Sequence, residues 1–391
     1  MVEKNKYIPY GRQDISDSDI EGVVNVLKSE FITQGSKINE FEDLMSGLFK
    51  SNHAIAVNSA TSALHIACLA LGVQEGDVVW TTANSFVASS NCALYCGSEV
   101  DFVDIDIDTY NISINLLEQK LDEAKKAKIL PKVLIPVHFA GYPCDMMKIK
   151  ELSDKYGFDV IEDASHAIGS EINGEPIGSC KWSDITVFSF HPVKIMTTGE
   201  GGMALTNCNI LNQKMNLLRT HGITRDEKIL EKTESTQPWY YEQQLLGFNY
   251  RMTDIQASLG ITQSERIKSF VRKRNEIAGI YFESLSDINI QLPQRNDSFY
   301  SSFHLFVILL EESSDKSYHE KIFKQLRNKG IGVNLHYMPI YLQPYYKRIG
   351  FKQGYCKNAE SYASRAISLP IYPKLTRKDQ EFVIQSLRDV L

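Results

Sequence analysis

The chain has 391 residues, which corresponds to two or three domains and is enough to bury a large hydrophobic core. Its 43% hydrophobic and 23% charged residues exclude a disordered or low-complexity protein. The net charge of -6 argues against unspecific nucleic-acid binding, so any anionic ligand must be bound by a local pocket.

The sequence predicts a protein of the cytoplasm. No apolar run approaches the roughly 18 residues of a membrane-spanning helix, and the first ten residues lack the basic-then-apolar order of a signal peptide. The seven Cys residues form no C-x-x-C pair and have no neighbouring His at metal-ligand spacing. We therefore expect reduced, mostly buried thiols and no metal site.

The first two hundred residues alternate short apolar runs with stretches of helical periodicity. This alternation is typical of an α/β fold with a largely parallel sheet covered by helices. The strands are predicted at 54–57, 78–80, 100–105, 133–137, 160–161, 185–188 and 203–205, and the helices at 62–71, 86–95, 116–127 and 145–156.

The C-terminal part of the chain has a different pattern. Residues 253–285 place apolar side chains on a helical period in a charged background and predict one long helix. Residues 225–243 contain little apolar sequence and predict an excursion loop. A small α+β domain is predicted from an alternating stretch at 303–309, a helix at 316–329, a strand at 331–335 and an amphipathic helix at 376–391.

These elements suggest three parts of the chain. They are a large domain, 1–250, with an N-terminal segment, 1–35; a connecting helix, 251–285; and a small C-terminal domain, 286–391.

Small hydroxylated residues follow the first long strand, in the order N-S-A-T-S-A-L at 58–64. They open a helix, and a helix N-terminus offers free N–H groups and a positive dipole end to a phosphate. Ser59 and Thr61 add hydroxyl donors. A simple N-cap would explain the same residues.

Two further strands are followed by chemically active side chains. E-D-A-S-H at 162–166 follows one of them, where open α/β sheets build their sites, although a loop carboxylate can also simply cap a turn. S-F-H-P-V-K at 189–194 follows the other. Burial at such a position would lower the pKa of Lys194 and free its amine as a nucleophile, whereas an exposed Lys would be an ordinary surface charge.

A phosphate cradle, an acid after one strand and a Lys after another are the parts needed to hold pyridoxal 5'-phosphate. With G-E-G-G at 199–202 and G-F-N-Y-R-M-T-D-I-Q-A at 247–257, these motifs run in order along the chain. The sequence resembles the fold-type I pyridoxal-phosphate enzymes, and within them the sugar aminotransferases of the DegT/DnrJ/EryC1/StrS family. That resemblance implies a large, mixed, mostly parallel sheet domain and a small C-terminal α+β domain.

The resemblance also implies roles for individual residues. Lys194 would bind the cofactor covalently and move the proton during transamination. Asp163 would face the pyridine nitrogen and keep it protonated, which makes the ring an electron sink. His166 would lie near the 3-oxygen of the ring, and Phe86 would stack on it; either side chain alone would be an ordinary core residue.

Contacts to the phosphate are implied for Ser59, Ala60, Thr61 and Ser189. Asn249 matches a residue that reaches the phosphate of the neighbouring subunit's cofactor, so the resemblance implies a homodimer with shared active sites. Arg251 would bind the carboxylate of the amino donor through its planar guanidinium, unless it is a surface Arg at a helix start.

The motif G-I-G-V-N-L-H-Y-M-P-I-Y at 330–341 resembles the subfamily that aminates C4 of a UDP-linked 4-keto-6-deoxy-N-acetylhexosamine on the way to pseudaminic acid. It implies that His336 and Tyr337 contact the substrate, and that L-glutamate donates the amino group and leaves as 2-oxoglutarate. Ile195 departs from this pattern, because Pro is expected directly after the Lys.

Several alternatives remain at this point. The enzyme could aminate another nucleotide-linked keto sugar, dTDP- or GDP-linked, at C3 or C4. It could also be a non-catalytic regulatory protein on the same fold, although no DNA-reading module or basic cluster is present. Related dehydratases carry His in place of Lys194, and a desulfurase would need a reactive Cys, for which Cys356 is the only candidate.

Overall fold

The computed structural model describes residues 7–231, 237–315 and 317–391. The strands in chain order are β1 (Ile8–Pro9), β2 (His53–Val57), β3 (Val78–Thr82), β4 (Glu99–Val103), β5 (Val133–Ile135), β6 (Asp159–Asp163), β7 (Glu171–Ile172), β8 (Glu175–Pro176), β9 (Ile185–Ser189), β10 (Gly202–Thr206), β11 (Ile223–Thr224), β12 (Glu242–Gln243), β13 (Ile290–Gln291), β14 (Phe299–Tyr300), β15 (Phe306–Leu310), β16 (Ile331–Gly332) and β17 (Ala366–Leu369).

The helices in chain order are α1 (Asp17–Leu27), α2 (Ser36–Phe49), α3 (Ala60–Ala70), α4 (Ala88–Tyr95), α5 (Ile114–Ala127), α6 (Met146–Tyr156), α7 (Asn209–Arg219), α8 (Asp254–Ser264), α9 (Ile267–Leu285), α10 (Tyr318–Asn328), α11 (Pro344–Arg348), α12 (Lys357–Ala363) and α13 (Arg377–Val390). In the part of the chain that the structure describes, no helix combines the length and the apolar composition that crossing a membrane requires.

The large sheet has seven strands in the order β2-β10-β9-β6-β5-β3-β4. The five strands from β9 to β4 run parallel, whereas β10 is antiparallel to both of its neighbours. The α/β class with a mixed, mostly parallel sheet is therefore confirmed. Because β6 and β9 are parallel neighbours, with Asp163 level with Val187, their carboxyl ends meet at one edge of the sheet.

Each face of the large sheet buries its own set of helices. Side chains alternate between the faces along a strand, so Ile161 packs with α3, α4 and α7 while Val160 packs with α2, α5 and α6. Parallel strands covered on both faces are apolar nearly throughout, and this explains the continuous short runs in the sequence.

The region predicted as one connecting helix is two helices, so that prediction is wrong. α8 ends at Ser264 and α9 begins at Ile267. Near the break, the buried Asp19 carboxylate accepts hydrogen bonds from Thr262 (2.6 Å), Gln263 (2.7 Å) and Arg266 (2.7 Å). The break thus lies where the N-terminal segment docks.

The described part of the N-terminal segment contacts the C-terminal region and α8, whereas α2, which follows it, also packs against β2 of the large sheet. β1 pairs in parallel with β16, from the C-terminal hundred residues, while α1 and α2 pack against α8. The sequence analysis did not predict α1, α2 or α7, although α1 carries a capping box at Ser16 and Asp19.

The C-terminal hundred residues form an antiparallel sheet, β13-β15-β17, with α10 and α13 packed beside it. All five residues of β15 are buried: Phe306 and Ile308 face this second core, while Val307 and Leu309 face the large one. The predicted strand at 331–335 is interrupted: Ile331–Gly332 pairs with β1, and Asn334 forms an isolated bridge to Ser368. The predicted helix begins at Tyr318, and residue 316 lies outside the described residues.

The predicted excursion loop is closed at its base by pairing of β11 with β12. Its residues 232–236 lie outside the described residues. On the described side of this loop, the Glu242 carboxylate accepts a hydrogen bond from the Tyr240 hydroxyl (2.7 Å) and from the Glu231 N–H (2.7 Å).

Candidate active site

The carboxyl ends of β6 and β9 open into a cavity of about 500 Å³. The structure brings ten of the predicted site residues together there, from segments far apart in the chain. They are Ser59, Ala60, Thr61, Phe86, Asp163, His166, Ser189, Lys194, His336 and Tyr337.

Lys194 lies five residues beyond the end of β9, in a turn closed by a hydrogen bond from its N–H to the His191 carbonyl (2.9 Å). Burial lowers the pKa of the Lys194 amine to about 8, and the negative charge of Asp163 opposes that shift only in part. The amine is therefore available in its neutral, nucleophilic form far nearer to neutral pH than an exposed lysine amine.

Asp163 is the last residue of β6, and its two carboxylate oxygens are held separately. Oδ2 accepts a hydrogen bond from the Ser89 hydroxyl (2.6 Å), and Oδ1 accepts one from the Ser165 N–H (3.1 Å). The side chain is 4% exposed. A charged group this deeply buried needs such donors, and they come from α4 and from the turn after β6.

Glu162 precedes Asp163 directly but points to the opposite face of the sheet, as the two-residue period of a strand requires. Its carboxylate accepts hydrogen bonds from His138 Nε2 (2.7 Å), from the Thr186 hydroxyl (3.1 Å) and from the Ser183 hydroxyl. Glu162 is thus a satisfied structural carboxylate on the far side of the sheet from Lys194.

His166 is held as a neutral ring. Its Nδ1 accepts a hydrogen bond from the Ala140 N–H (3.2 Å), so the proton is on Nε2, which lies 3.2 Å from the Tyr337 hydroxyl. Burial and the positive charge of Lys194 lower the pKa of His166 well below its usual range. Its only donor is therefore directed to Tyr337, and Tyr337 lines the cavity beside it.

His336 also lines the cavity, but both of its ring nitrogens are occupied. Nδ1 is 2.8 Å from the Ser368 hydroxyl and Nε2 is 3.1 Å from the Asn334 amide nitrogen. Burial lowers the pKa of His336 to about 3, so the ring is neutral. With both nitrogens bonded within the protein, His336 offers a ligand its ring surface, against which Tyr10 packs edge-on (4.9 Å between centroids).

The N-terminus of α3 forms one wall of the cavity. Ser59 is its N-cap, accepting a hydrogen bond from the Ser62 N–H (3.1 Å), so the capping interpretation is correct and leaves the N–H groups of Ala60 and Thr61 at the free end of the helix. β10 crosses directly behind: a Cβ on Gly202 would lie 2.4 Å from the Ala60 nitrogen. A side chain at position 202 would therefore displace the N-terminus of α3.

These residues fit pyridoxal phosphate by their chemistry. The helix N-terminus and the Ser59 and Thr61 hydroxyls suit a phosphate, the Lys194 amine suits an aldehyde, and the buried Asp163 carboxylate suits a protonated pyridine nitrogen. Phe86, which is 58% exposed, presents an aromatic surface to the same cavity.

Asn249 and Arg251 do not line this cavity in their own chain. The Asn249 backbone bridges to Thr220, and its carbonyl lies 3.4 Å from the Asn58 amide nitrogen. Arg251 lines a separate cavity with Gln34 and Arg219. The predicted contacts of Asn249 and Arg251 with cofactor and donor would therefore have to be made in another subunit.

Four residues of the site were missed by the sequence analysis. Tyr10 lines the cavity from the N-terminal segment, where no local pattern marks it; Asn334 lies within the motif at 330–341, but only His336 and Tyr337 of that motif were predicted to contact the substrate. Ser89 is the second residue of α4 and Ser85 lies three residues before that helix; the four-residue spacing of their hydroxyls was the available signal for this pair. Ile195, the departure from the family pattern, is buried in the core below the site.

Cys356 is the buried N-cap residue of α12, and burial raises the pKa of its thiol above its usual range. A desulfurase needs an accessible thiolate, so this residue is unsuited to that chemistry.

Comparison with known proteins agrees with this geometry. The sequence matches the DegT/DnrJ/EryC1/StrS aminotransferase family over residues 13–388. It is 38% identical over 392 residues to the UDP-4-amino-4,6-dideoxy-N-acetyl-beta-L-altrosamine transaminase of Campylobacter jejuni, covering 98% of this chain and 97% of that protein.

Two solved structures share the fold over nearly the whole chain. Helicobacter pylori PseC, an aminotransferase involved in the biosynthesis of pseudoaminic acid, superposes with a TM-score of 0.89 at 29% identity, covering 98% of this chain and 99% of that one. The putative sugar aminotransferase Spr1654 of Streptococcus pneumoniae, in its pyridoxal-phosphate form, gives 0.87 at 29% identity, with 98% of both chains covered.

The fold and the cavity define a fold-type I enzyme that uses pyridoxal phosphate as its cofactor. The chain belongs to the DegT/DnrJ/EryC1/StrS aminotransferase family.

We expect Lys194 to capture the cofactor with a rate that follows its neutral amine. In the cofactor-free enzyme, covalent capture of pyridoxal phosphate should rise about tenfold per pH unit below pH 8 and level off above it. Stopped-flow absorbance measures this rate, and borohydride reduction with peptide mapping should find the label on Lys194. A label on another Lys, or a rate still rising toward pH 10, would contradict the assignment.

The neighbouring carboxylates should respond differently to removal of their charge. Asp163→Asn should fold normally and lose turnover by roughly 100-fold or more, because a neutral amide cannot stabilise a positive ring nitrogen. Glu162→Gln should instead lower the free energy of unfolding by about 1–3 kcal/mol and leave cofactor affinity unchanged. Turnover assays, cofactor titration and chemical denaturation of both variants measure these effects, and the reverse pattern would exchange the two roles.

Proposed function

We propose that the enzyme transfers an amino group from L-glutamate to C4 of a UDP-linked 4-keto-6-deoxy-N-acetylhexosamine. The observation that carries aminotransfer is the Lys194 amine, whose pKa burial lowers to about 8, in one cavity with the Asp163 carboxylate. The choice of sugar is supported by the 38% identity to a transaminase of a UDP-linked aminodideoxy sugar and by the similarity to PseC.

Bound pyridoxal phosphate supplies the electron sink that stabilises negative charge at the carbon of the reacting amine. The Asp163 carboxylate would stabilise the positive charge of the protonated ring nitrogen, and its buried surroundings make that interaction strong. The first turn of α3 binds the phosphate and sets the distance between that anchor and the Lys194 amine.

Lys194 moves the proton. With a pKa of about 8, its amine exists in comparable amounts of both protonation states at slightly alkaline pH, which suits a group that must accept and return a proton. Tyr337 receives the Nε2 proton of His166 as a hydrogen bond, and its own hydroxyl proton is then free to be donated to the ligand.

The proposed assembly is a homodimer with shared active sites. The segment that carries Asn249 lies along the start of α3, where the Tyr250 carbonyl accepts a hydrogen bond from the Asn58 N–H (2.9 Å). Large apolar side chains near it are exposed, with Leu246 at 81% and Trp239 at 69%. Exposed apolar surface of this kind supports burial against a second subunit.

The sugar can be identified from the acceptor half of the reaction. Enzyme loaded with pyridoxamine 5'-phosphate is mixed with each of a panel of UDP- and dTDP-linked 4-keto sugars, and recovery of pyridoxal absorbance is followed. We expect the UDP-linked 4-keto-6-deoxy-N-acetylhexosamine to react at least tenfold faster than its dTDP-linked counterpart. Preference for a dTDP-linked or a 3-keto sugar would refute the proposed substrate.

Subunit sharing can be tested by complementation. Asn249→Ala and Lys194→Ala should each be inactive or badly impaired as homodimers. If Asn249 serves the partner's cofactor, a heterodimer of the two variants has one site with both lesions and one intact site. Doubly tagged, co-expressed heterodimer should therefore recover up to about half of wild-type activity. If no activity is recovered, Asn249 acts within its own chain.

A further inference from the structure

Two serine hydroxyls form a chain that ends on the Asp163 carboxylate. The Ser89 hydroxyl lies 2.6 Å from Asp163 Oδ2, and the Ser85 hydroxyl lies 2.7 Å from that of Ser89. An ionised carboxylate can only accept hydrogen bonds, so the single proton of Ser89 is donated to Asp163. Ser85 must then donate its own proton to Ser89.

All three side chains are buried, with Ser85 at 3%, Ser89 at 0% and Asp163 at 4% exposure. Ser89 is thus enclosed by protein, and its hydroxyl rather than solvent is the donor to Asp163 Oδ2. Hydrogen bonds to a charged group are the strong ones, and the low polarity of the surroundings strengthens them further.

We propose that Ser89 is a positioning residue that orients the Asp163 carboxylate toward the cofactor ring. This inference rests on the proposed role of Asp163. Ser89 binds Oδ2 from α4, while the Ser165 N–H binds Oδ1 from the turn after β6. Two donors on different oxygens fix the rotation of the carboxylate, whereas one alone would let it turn.

Ser89 is itself held in place from the C-terminal region. The next residue, Ser90, lies 2.6 Å from the Tyr346 hydroxyl, which in turn donates to the side chain of Asn91 (2.6 Å). Tyr346 is a buried residue of α11. The start of α4 is thus fixed by a hydrogen-bond network that does not include Asp163, and this makes Ser90 a matched control for Ser89.

The test compares Ser89→Ala with Ser90→Ala in the full-length enzyme. Each variant removes one buried hydroxyl from α4, but only Ser89→Ala removes the donor to Asp163. We expect Ser89→Ala to weaken binding of pyridoxal phosphate and to lower kcat by about tenfold each, and to change the pH dependence of the bound cofactor's absorbance. Ser90→Ala should lower the melting temperature with cofactor affinity and absorbance unchanged.

Two further variants separate positioning from simple loss of stability. Ser89→Thr keeps the hydroxyl and should restore cofactor affinity to within about threefold of wild type. In an Asp163→Asn background, Ser89→Ala should weaken cofactor binding by less than twofold, since the oriented charge is already gone. Cofactor affinity is measured by absorbance titration, independently of turnover.

The outcomes distinguish this inference from the proposed function. If Ser89→Ala matches Ser90→Ala in cofactor affinity and absorbance while Asp163→Asn is strongly impaired, the role of Ser89 is refuted and that of Asp163 stands. If Asp163→Asn itself keeps normal affinity and turnover, the role of Asp163 is refuted, and the role of Ser89 with it.

Discussion

The site depends on burying one amine and one carboxylate together at the ends of two neighbouring parallel strands. Desolvation of a charged group is costly, and here it lowers the pKa of Lys194 to about 8. The parallel pairing of β6 and β9 brings both residues to the same edge, so the sheet topology itself creates the juxtaposition. Two features of the surroundings make this burial tolerable. Ser89 and Ser165 donate hydrogen bonds to Asp163, and the histidines beside Lys194 are neutral rather than charged.

Glu162 and Asp163, the two acids of the E-D-A-S-H motif, are adjacent in β6 but lie in different surroundings. Glu162 has only structural contacts, whereas Asp163 lines the cavity. Both are buried carboxylates with several hydrogen-bond donors, yet adjacent residues of a strand point to opposite faces. A one-residue shift in the register of β6 would exchange the faces on which the two side chains lie. Glu162, which binds His138, would then point into the cavity. The register of β6 between β5 and β9 is therefore as much a part of the active site as the side chains are.

Much of the fold and of the site could be predicted because the evidence was local. Short apolar runs marked the strands; Asp163 is the last residue of β6, and Lys194 lies five residues beyond the end of β9. What could not be predicted depends on distant contacts. The helix break before Ile267 reflects docking of Asp19, which lies about 250 residues earlier. The position of the His166 ring proton depends on the Ala140 N–H, and the restricted role of His336 depends on Ser368. Arg251 and Lys194 line two different cavities, and only the folded chain shows this.

Gly202 has a consequence for how such a chain can diverge in sequence. An added methyl group there would overlap the backbone of Ser59 and Ala60, whereas at Gly47 or Gly279 it would meet nothing within 4 Å. A side chain can therefore be accommodated at Gly47 or Gly279 but not at position 202. Gly202 lies on β10, between β2 and β9, and its lack of a side chain allows α3 to lie close to the sheet. Substitutions elsewhere in the cavity can change what is bound there, whereas any side chain at position 202 would push α3 away from the sheet at its anion-binding end.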